Sequence, residues 1–485
     1  MNTTPRNMVV IMSDEHQSRA LGCYGHPFVH TPNLDALAAR GTRFASAYCT
    51  SPVCIPARAS FATGQYIHQI GFWDNADAYD GSVPSWHHRL RERDHRVVSI
   101  GKLHFRDYGG DHGFSEEIIP MHIVDGKGDL MGLVRSDLPV RKGAYKMAQL
   151  AGPGESQYTF YDREIVSRAQ IWLREAAARG DEKPWVLFVS FVSPHFPLTA
   201  PPEHYYRYYN RDLPLPKLYD KRERPDHPFQ NDYRASFNYD DYFDPGLVKK
   251  ALAGYYGLCS FLDENVGKLL TTLDDLDILD DTRVLYTSDH GDNLGARGMW
   301  GKSNLFEEAA AVPLIIAGPD IPAGRCIQTP VSHVDVTPFI YQAVGENSPS
   351  LTQDLPGVSL FDLAQGAEPV RNVMAEYHGM GSATGAFMIR EGRYKYIYYV
   401  NYPEQLFDLQ DDPEELHDLA DDPAHVDTLA RCRSRLQALC DPIEVDARAR
   451  ARQEVLLAKN GGREAVIARG DLGFSPAPGA VHKFD

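Results

Sequence analysis

The residue best placed to do chemistry is Cys54, in Ser51-Pro52-Val53-Cys54-Ile55-Pro56-Ala57-Arg58. The Cys-x-Pro-x-Arg core combines a soft nucleophile, a residue suited to a helix start and a permanent cation. Alone it is weak evidence, because a cysteine ahead of a helix is ordinarily a small buried side chain. Other segments give it company. Asp14 and Glu15 follow the apolar run Val9-Val10-Ile11-Met12, and Asp289-His290 follows Val284-Leu285-Tyr286-Thr287-Ser288. Carboxylates and an imidazole at the carboxyl ends of buried strands can hold a divalent metal, since open α/β sheets build their sites there.

Gly101-Lys102-Leu103-His104, Ser193-Pro194-His195-Phe196-Pro197 and Gly301-Lys302 complete an ordered series. That series resembles the type I sulfatases of the alkaline phosphatase superfamily, over roughly the first three quarters of the chain. The resemblance implies attack on the sulfur of a sulfate monoester, which needs a cationic clamp on the nonbridging oxygens, an activated nucleophile and an acid for the leaving oxygen. It implies one divalent ion, Ca²⁺ or Mn²⁺, held by Asp14, Asp289, His290 and the residue at Cys54. Many arylsulfatases have Asp-Asp in the first segment and Asn in the last. Here Asp14-Glu15 and Asp289-His290 depart from that pattern, and the imidazole tilts the choice toward Mn²⁺.

By the same resemblance, a maturation enzyme oxidises Cys54 to formylglycine, whose hydrate supplies the nucleophile, and Arg58 fixes that hydrate. Lys102 and Lys302 match sulfate-binding lysines, and His104 matches a base. His195 matches the contact to the leaving oxygen, a role Lys302 can share. Asn75, in Gly71-Phe72-Trp73-Asp74-Asn75, matches a substrate-binding asparagine of choline-sulfatase-like and phosphonate-hydrolase-like members. The implied substrates are small aryl or alkyl sulfates, with phosphonate monoesters or phosphodiesters as the alternative and overlapping activity expected. His104 favours sulfate, because phosphonate-cleaving relatives tend to differ there. The text of residues 8–106 is nearest to choline sulfatase, yet Met121 to Tyr161 holds no tryptophan for a cage around a quaternary ammonium. A metal-binding protein with unconverted Cys54 and no activity is the remaining alternative.

Elements must carry these residues to one place. Thr31-Pro32-Asn33-Leu34 opens a helix with Thr31 as cap and Gly41 as its end. A second helix is expected from Pro56 to Gly64, a third over Arg163 to Arg179 and a long one over about 247–274. The apolar runs 185–191, 284–288 and 312–316 read as strands buried on both faces. This alternation predicts an α/β, alkaline-phosphatase-like sandwich with a large, mostly parallel sheet flanked by helices. Beyond about residue 365, Asn372–Glu376, Ala386–Arg390 and Tyr394–Tyr399 alternate like half-exposed strands, followed by Leu406–Leu409 and a helix near 424–440. The expected division is a catalytic domain, 1–365, and a C-terminal subdomain, 366–485, with a small antiparallel sheet. The Gly/Pro-rich tail after Lys459 is expected to be extended and free to tie subunits of a homo-oligomer together. The tyrosine-rich insertion Pro201–Gly246 reads as a packed surface loop or as a lid over an organic substrate. His112 and Asp335 read as structural residues of turns and caps.

Bulk properties narrow the partners. The 485 residues carry a net charge of −17, which argues against nucleic acid and requires any acidic substrate to meet a local cationic pocket. No apolar run reaches the ~20 residues of a membrane helix, and the N-terminus has no long apolar leader. Seven scattered cysteines with no Cys-x-x-Cys pair fit a reduced, cytoplasmic setting.

Overall fold

The computed structural model describes residues 4–480, so the last residues of the tail lie outside the description. An eight-stranded sheet runs in the order 325–327, 41–44, 314–317, 282–288, 7–14, 186–194, 97–102, 116–121. Seven strands share one direction, and only Leu314–Ala317 is antiparallel to both neighbours. The run expected at 312–316 is therefore the reversed strand of an otherwise parallel sheet.

The strand Asn7–Asp14 shows why these runs are continuously apolar. Val9 and Ile11 pack with Leu34, Ile165, Trp172 and Leu262 of the helices Pro32–Arg40, Gln157–Arg179 and Pro245–Asp275. Met8, Val10 and Met12 point the other way, toward Phe61, Trp86 and Phe339. With both faces covered, an alternating pattern would bury polar groups, so every position is apolar. Each such side chain contributes about 1.5–3 kcal/mol of burial.

Helix boundaries differ from expectation where tertiary partners intervene. The second helix begins at Cys54, not Pro56, so Cys54 itself occupies the first helical position. The third begins at Gln157, where Ser156 accepts from Thr159 N. Thr31 does not cap its helix: its hydroxyl accepts from Gly22 N at 2.9 Å, and Asp263 of the long helix accepts from Asn33 N and Leu34 N at 3.2 and 2.8 Å.

A separate four-stranded antiparallel sheet runs 372–377, 386–391, 394–399, 405–408. Its faces are not half-exposed. Met374, Phe387 and Ile389 pack on Leu429 and Leu436 of the helix Val426–Leu439, while Val373, Met388 and Ile397 pack on the main body. Lys395, a charged residue within this sheet, is buried between Glu307 (2.9 Å) and Glu415 (2.8 Å). A further helix, Pro442–Lys459, follows, and a short one, Gly462–Arg469, stands where the extended tail was expected to begin.

Candidate active site

Four adjacent parallel strands, 282–288, 7–14, 186–194 and 97–102, each end on one polar residue: Asp289, Asp14, His195 and Lys102. Sheet order thus gathers residues up to 275 positions apart in sequence, Asp14 to Asp289, to one rim. The N-terminus of Cys54–Thr63 meets this rim. No side chain of its own caps that helix; Asn75 Oδ1 accepts from Ile55 N at 3.2 Å.

Asp14, Cys54, Asp289 and His290 offer ligand atoms all within 4.8 Å of one another, and all four are buried. His290 Nε2 is 3.1 Å from Cys54 Sγ, 3.7 Å from Asp14 Oδ1 and 3.6 Å from Asp289 Oδ1. His290 Nδ1 lies 2.9 Å from the Gly291 carbonyl, an obligate acceptor, so the proton sits there and the Nε2 lone pair faces the cluster. A lone pair and two carboxylates converging on one point fit a divalent cation.

Cations surround the carboxylates. Arg58 donates from Nε to Asp289 Oδ2 (2.7 Å) and from Nη1 to the Lys102 carbonyl (2.7 Å) and Ser190 Oγ (2.9 Å). Lys102 bonds Asp14, and Lys302 Nζ reaches Glu15 Oε2 at 3.0 Å and Cys54 Sγ at 3.2 Å. Burial alone would raise Asp14, yet Lys102, with His195, Lys302 and Arg58, holds it well below the usual carboxylate range. Glu15 goes the other way: burial pushes it up to about 8, with Lys302 opposing. Arg58, Lys102 and Lys302 gather around the carboxyl groups of Asp14, Glu15 and Asp289, so three cations meet at this rim in a chain of charge −17.

Burial pushes the Cys54 thiol up to about 12, aided by Asp14 and opposed by Lys302 and Lys102, so the unmodified side chain is a neutral thiol. His195 and His104 are held neutral, first by burial, then by Lys302 and Lys102 respectively. His195 Nδ1 donates to the Phe196 carbonyl at 2.6 Å, leaving Nε2 as an acceptor 3.2 Å from Glu15 Oε2. His104 Nε2 lies 2.8 Å from Ser475 Oγ, and its Nδ1 is buried without a partner. Glu15, His104 and Ser303 have φ of 69°, 59° and 78°, left-handed backbone that concentrates at functional sites.

A cavity of about 80 Å³ opens beside Cys54, Lys102, His104, His195 and Lys302. Its outer wall carries the rings of Tyr158, Phe196, Tyr233, Phe237, Tyr239 and Phe474, with Asn75 and Ser303 nearer the rim. Every expected site residue but Arg58 lies in this cavity or in the cluster beneath it, and Arg58 stands beside the cluster on Asp289. The tyrosine-rich insertion divides: Tyr233 and Tyr239 line the cavity, whereas Tyr205 and Tyr208 pack in the core. Ring lining arises without the missing tryptophan, because phenylalanines and tyrosines arrive from elsewhere.

Sequence reasoning missed the tail. Asp471 and Asp129 both accept from Arg141 Nη2 at 2.8 Å in the cavity wall, and Ser475 holds His104. The tail expected to reach outward instead lines the site of its own chain. Its composition gave no signal, since Gly/Pro-rich segments look alike wherever they pack. Asp335 caps Ser332 N and Val358 N (both 2.8 Å) and pairs with Arg371, a structural role.

Comparison with known proteins agrees with this geometry. The Sulfatase family profile matches residues 6–346, and that described as N-sulphoglucosamine sulphohydrolase, C-terminal, matches 295–441. Choline-sulfatase of Rhizobium meliloti (strain 1021) is 35% identical over 419 residues, 85% of this chain and 82% of that protein. Arylsulfatase K of Homo sapiens is 28% identical over 433 residues, covering 84% and 77%. The crystal structure of phosphonate monoester hydrolase of Agrobacterium radiobacter superposes with a TM-score of 0.69 over 90% of this chain and 95% of that one, at 21% identity, a likeness of fold.

Proposed function

Because this chain belongs to the sulfatase family and is a sulfuric ester hydrolase, we propose that it hydrolyses small aryl or alkyl sulfate monoesters at Cys54, after conversion of that residue to formylglycine. One observation carries the reading. Cys54 sits at a helix start within 3.1–3.2 Å of His290 Nε2 and Lys302 Nζ, yet its thiol is neutral and a poor nucleophile as it stands. A helix start, an imidazole and a lysine around residue 54 support the reading of an oxygen nucleophile there, which a formylglycine hydrate would supply.

Asp14, Asp289 and His290 would hold the metal with the residue at 54. Two carboxylates with one imidazole suit Mn²⁺ better than Ca²⁺. The ion supplies Lewis-acid polarisation of sulfuryl oxygens, and the formylglycine hydrate supplies an oxygen nucleophile. The remaining work falls to the chain. Lys102 and Lys302 bind the anionic oxygens, and Asn75 both holds the helix start and contacts substrate. Arg58 is locked by Asp289, Ser190 and the Lys102 carbonyl, so it orients the residue at 54 without moving. Glu15, whose carboxyl burial shifts upward, lies against His195 Nε2 and beside Lys302, where it would pass a proton toward the leaving oxygen. His104 is a neutral base on the opposite side, suited to reset the nucleophile.

The rings favour an apolar or aromatic organic group. Asp129 and Asp471, held by Arg141, are carboxylates of the wall that a cationic group such as choline would also meet. The test compares kcat/KM for an aryl sulfate, choline sulfate and an aryl phosphonate monoester, using enzyme coexpressed with a formylglycine-generating partner and Cys54→Ala as control. Sulfate preference lost in the variant is expected. Phosphonate preference, or full activity of Cys54→Ala, would overturn the reading.

A further inference from the structure

We propose a second metal site, formed by His112, Glu117 and His122, that takes a zinc-class divalent transition ion and braces the loop carrying His104. The three residues flank and enter the edge strand Glu116–Met121, where each offers a ligand atom within 4.8 Å of the others. His112 Nδ1 is 2.9 Å from Glu117 Oε1, and His122 Nε2 is 3.5 Å from Glu117 Oε2. Tetrahedral bonds of about 2.0–2.1 Å give ligand–ligand edges of about 3.3 Å, comparable to these two separations, which end on the two oxygens of one carboxylate.

His112 and His122 are 1% and 6% exposed, and neither ring nitrogen of His122 nor Nε2 of His112 has a hydrogen-bond partner. The 3.5 Å approach of His122 to Glu117 is too long for a hydrogen bond and suits two donors sharing a cation. Phe105 and Tyr108 lie over the two imidazoles, with ring centroids 5.1 and 4.6 Å away, and shield the pair. The Glu117 side chain keeps 21% exposure, which leaves an entry path and room for a water as fourth ligand. Two imidazoles and one carboxylate are the donor set of open zinc sites and do not suit Ca²⁺ or Mg²⁺.

Backbone bonds connect this site to the catalytic loop. The Met121 carbonyl accepts from Leu103 N (3.2 Å) and His104 N (2.8 Å), and Ile123 N donates to the Phe105 carbonyl at 3.0 Å. His122 stands between these bonds, so an ion fixing its ring fixes the segment that holds His104 in its left-handed conformation.

The experiment uses full-length enzyme with its catalytic metal retained. Zinc is added, excess is removed by gel filtration, bound metal is counted by mass spectrometry, and affinity is read by competition with a chromophoric chelator. Wild type is expected to hold one zinc more than His112→Ala/His122→Ala, whose affinity for that equivalent falls at least about a hundredfold. Glu117→Gln should weaken it about tenfold or more, and hydrogen exchange at residues 103–105 should slow on loading. Anomalous diffraction from zinc-soaked wild-type crystals decides the site even if the double variant misfolds. Equal zinc content in wild type and a folded double variant, or anomalous density confined to the Asp14 cluster, would overturn the site. Unchanged exchange at 103–105 on loading would overturn the bracing.

Discussion

Ser475→Ala tests whether the tail takes part in the chemistry. Ser475 Oγ, 2.8 Å away, is the partner of His104 Nε2, and both residues are 6% exposed. His104 Nδ1 already lacks a partner, so the substitution leaves both ring nitrogens of a buried imidazole unsatisfied. Stranding one such group costs about 1–3 kcal/mol. If the ring must hold its orientation in the transition state, kcat/KM falls about 5- to 150-fold. Stability should register much less. At about 2.1 cal/mol/K per residue, a 485-residue chain unfolds with an entropy near 1 kcal/mol/K, so the same energy moves Tm by only about 1–3 °C. The tail stays docked, because Tyr158 OH donates to the Ser475 backbone carbonyl (2.6 Å) and Phe474 packs on Tyr158 and Phe196. The assay is steady-state hydrolysis of an aryl sulfate alongside calorimetry, with Ser475→Thr as the hydroxyl-retaining control. Activity within twofold of wild type, with only the small Tm shift, would refute the positioning role.

Two further outcomes follow from packing and charge. Gly101 has φ of +102°, and a Cβ there would lie 2.2 Å from the Ser190 carbonyl, so Gly101→Ala should lose more than about 3 kcal/mol by denaturant titration and displace Lys102; a loss below about 1 kcal/mol would contradict the close approach. Burial would raise Glu376, but His68, at 2.8 Å, and His378, at 3.0 Å, hold it down to about 2 from 4.5. Its folded pKa is depressed, so the stabilisation, about 3 kcal/mol, is present above pH 4.5 and drains as pH falls toward 2. Denaturant midpoints measured from pH 6 to 3 should fall more steeply for wild type than for Glu376→Gln, and parallel curves would argue against the pair.

By itself, the sequence determined the parts whose signals are local. Uninterrupted apolar runs mark strands covered on both faces, and a polar residue directly after such a run must lie at the sheet rim, which located Asp14 and Asp289. The ordered motifs, through their resemblance to type I sulfatases, grouped Cys54, Lys102, His104, His195 and Lys302 as one set. Tertiary structure alone decided what depends on non-local neighbours. Thr31 lost its capping role to Asp263, 232 positions away. Lys395 was buried by two glutamates that no short window relates to it. The upward shifts of Glu15 and the Cys54 thiol and the tail serine against His104 all arise from burial and charges brought together by folding. A one-dimensional pattern reports which face a residue turns to the core; it does not report which charge waits there.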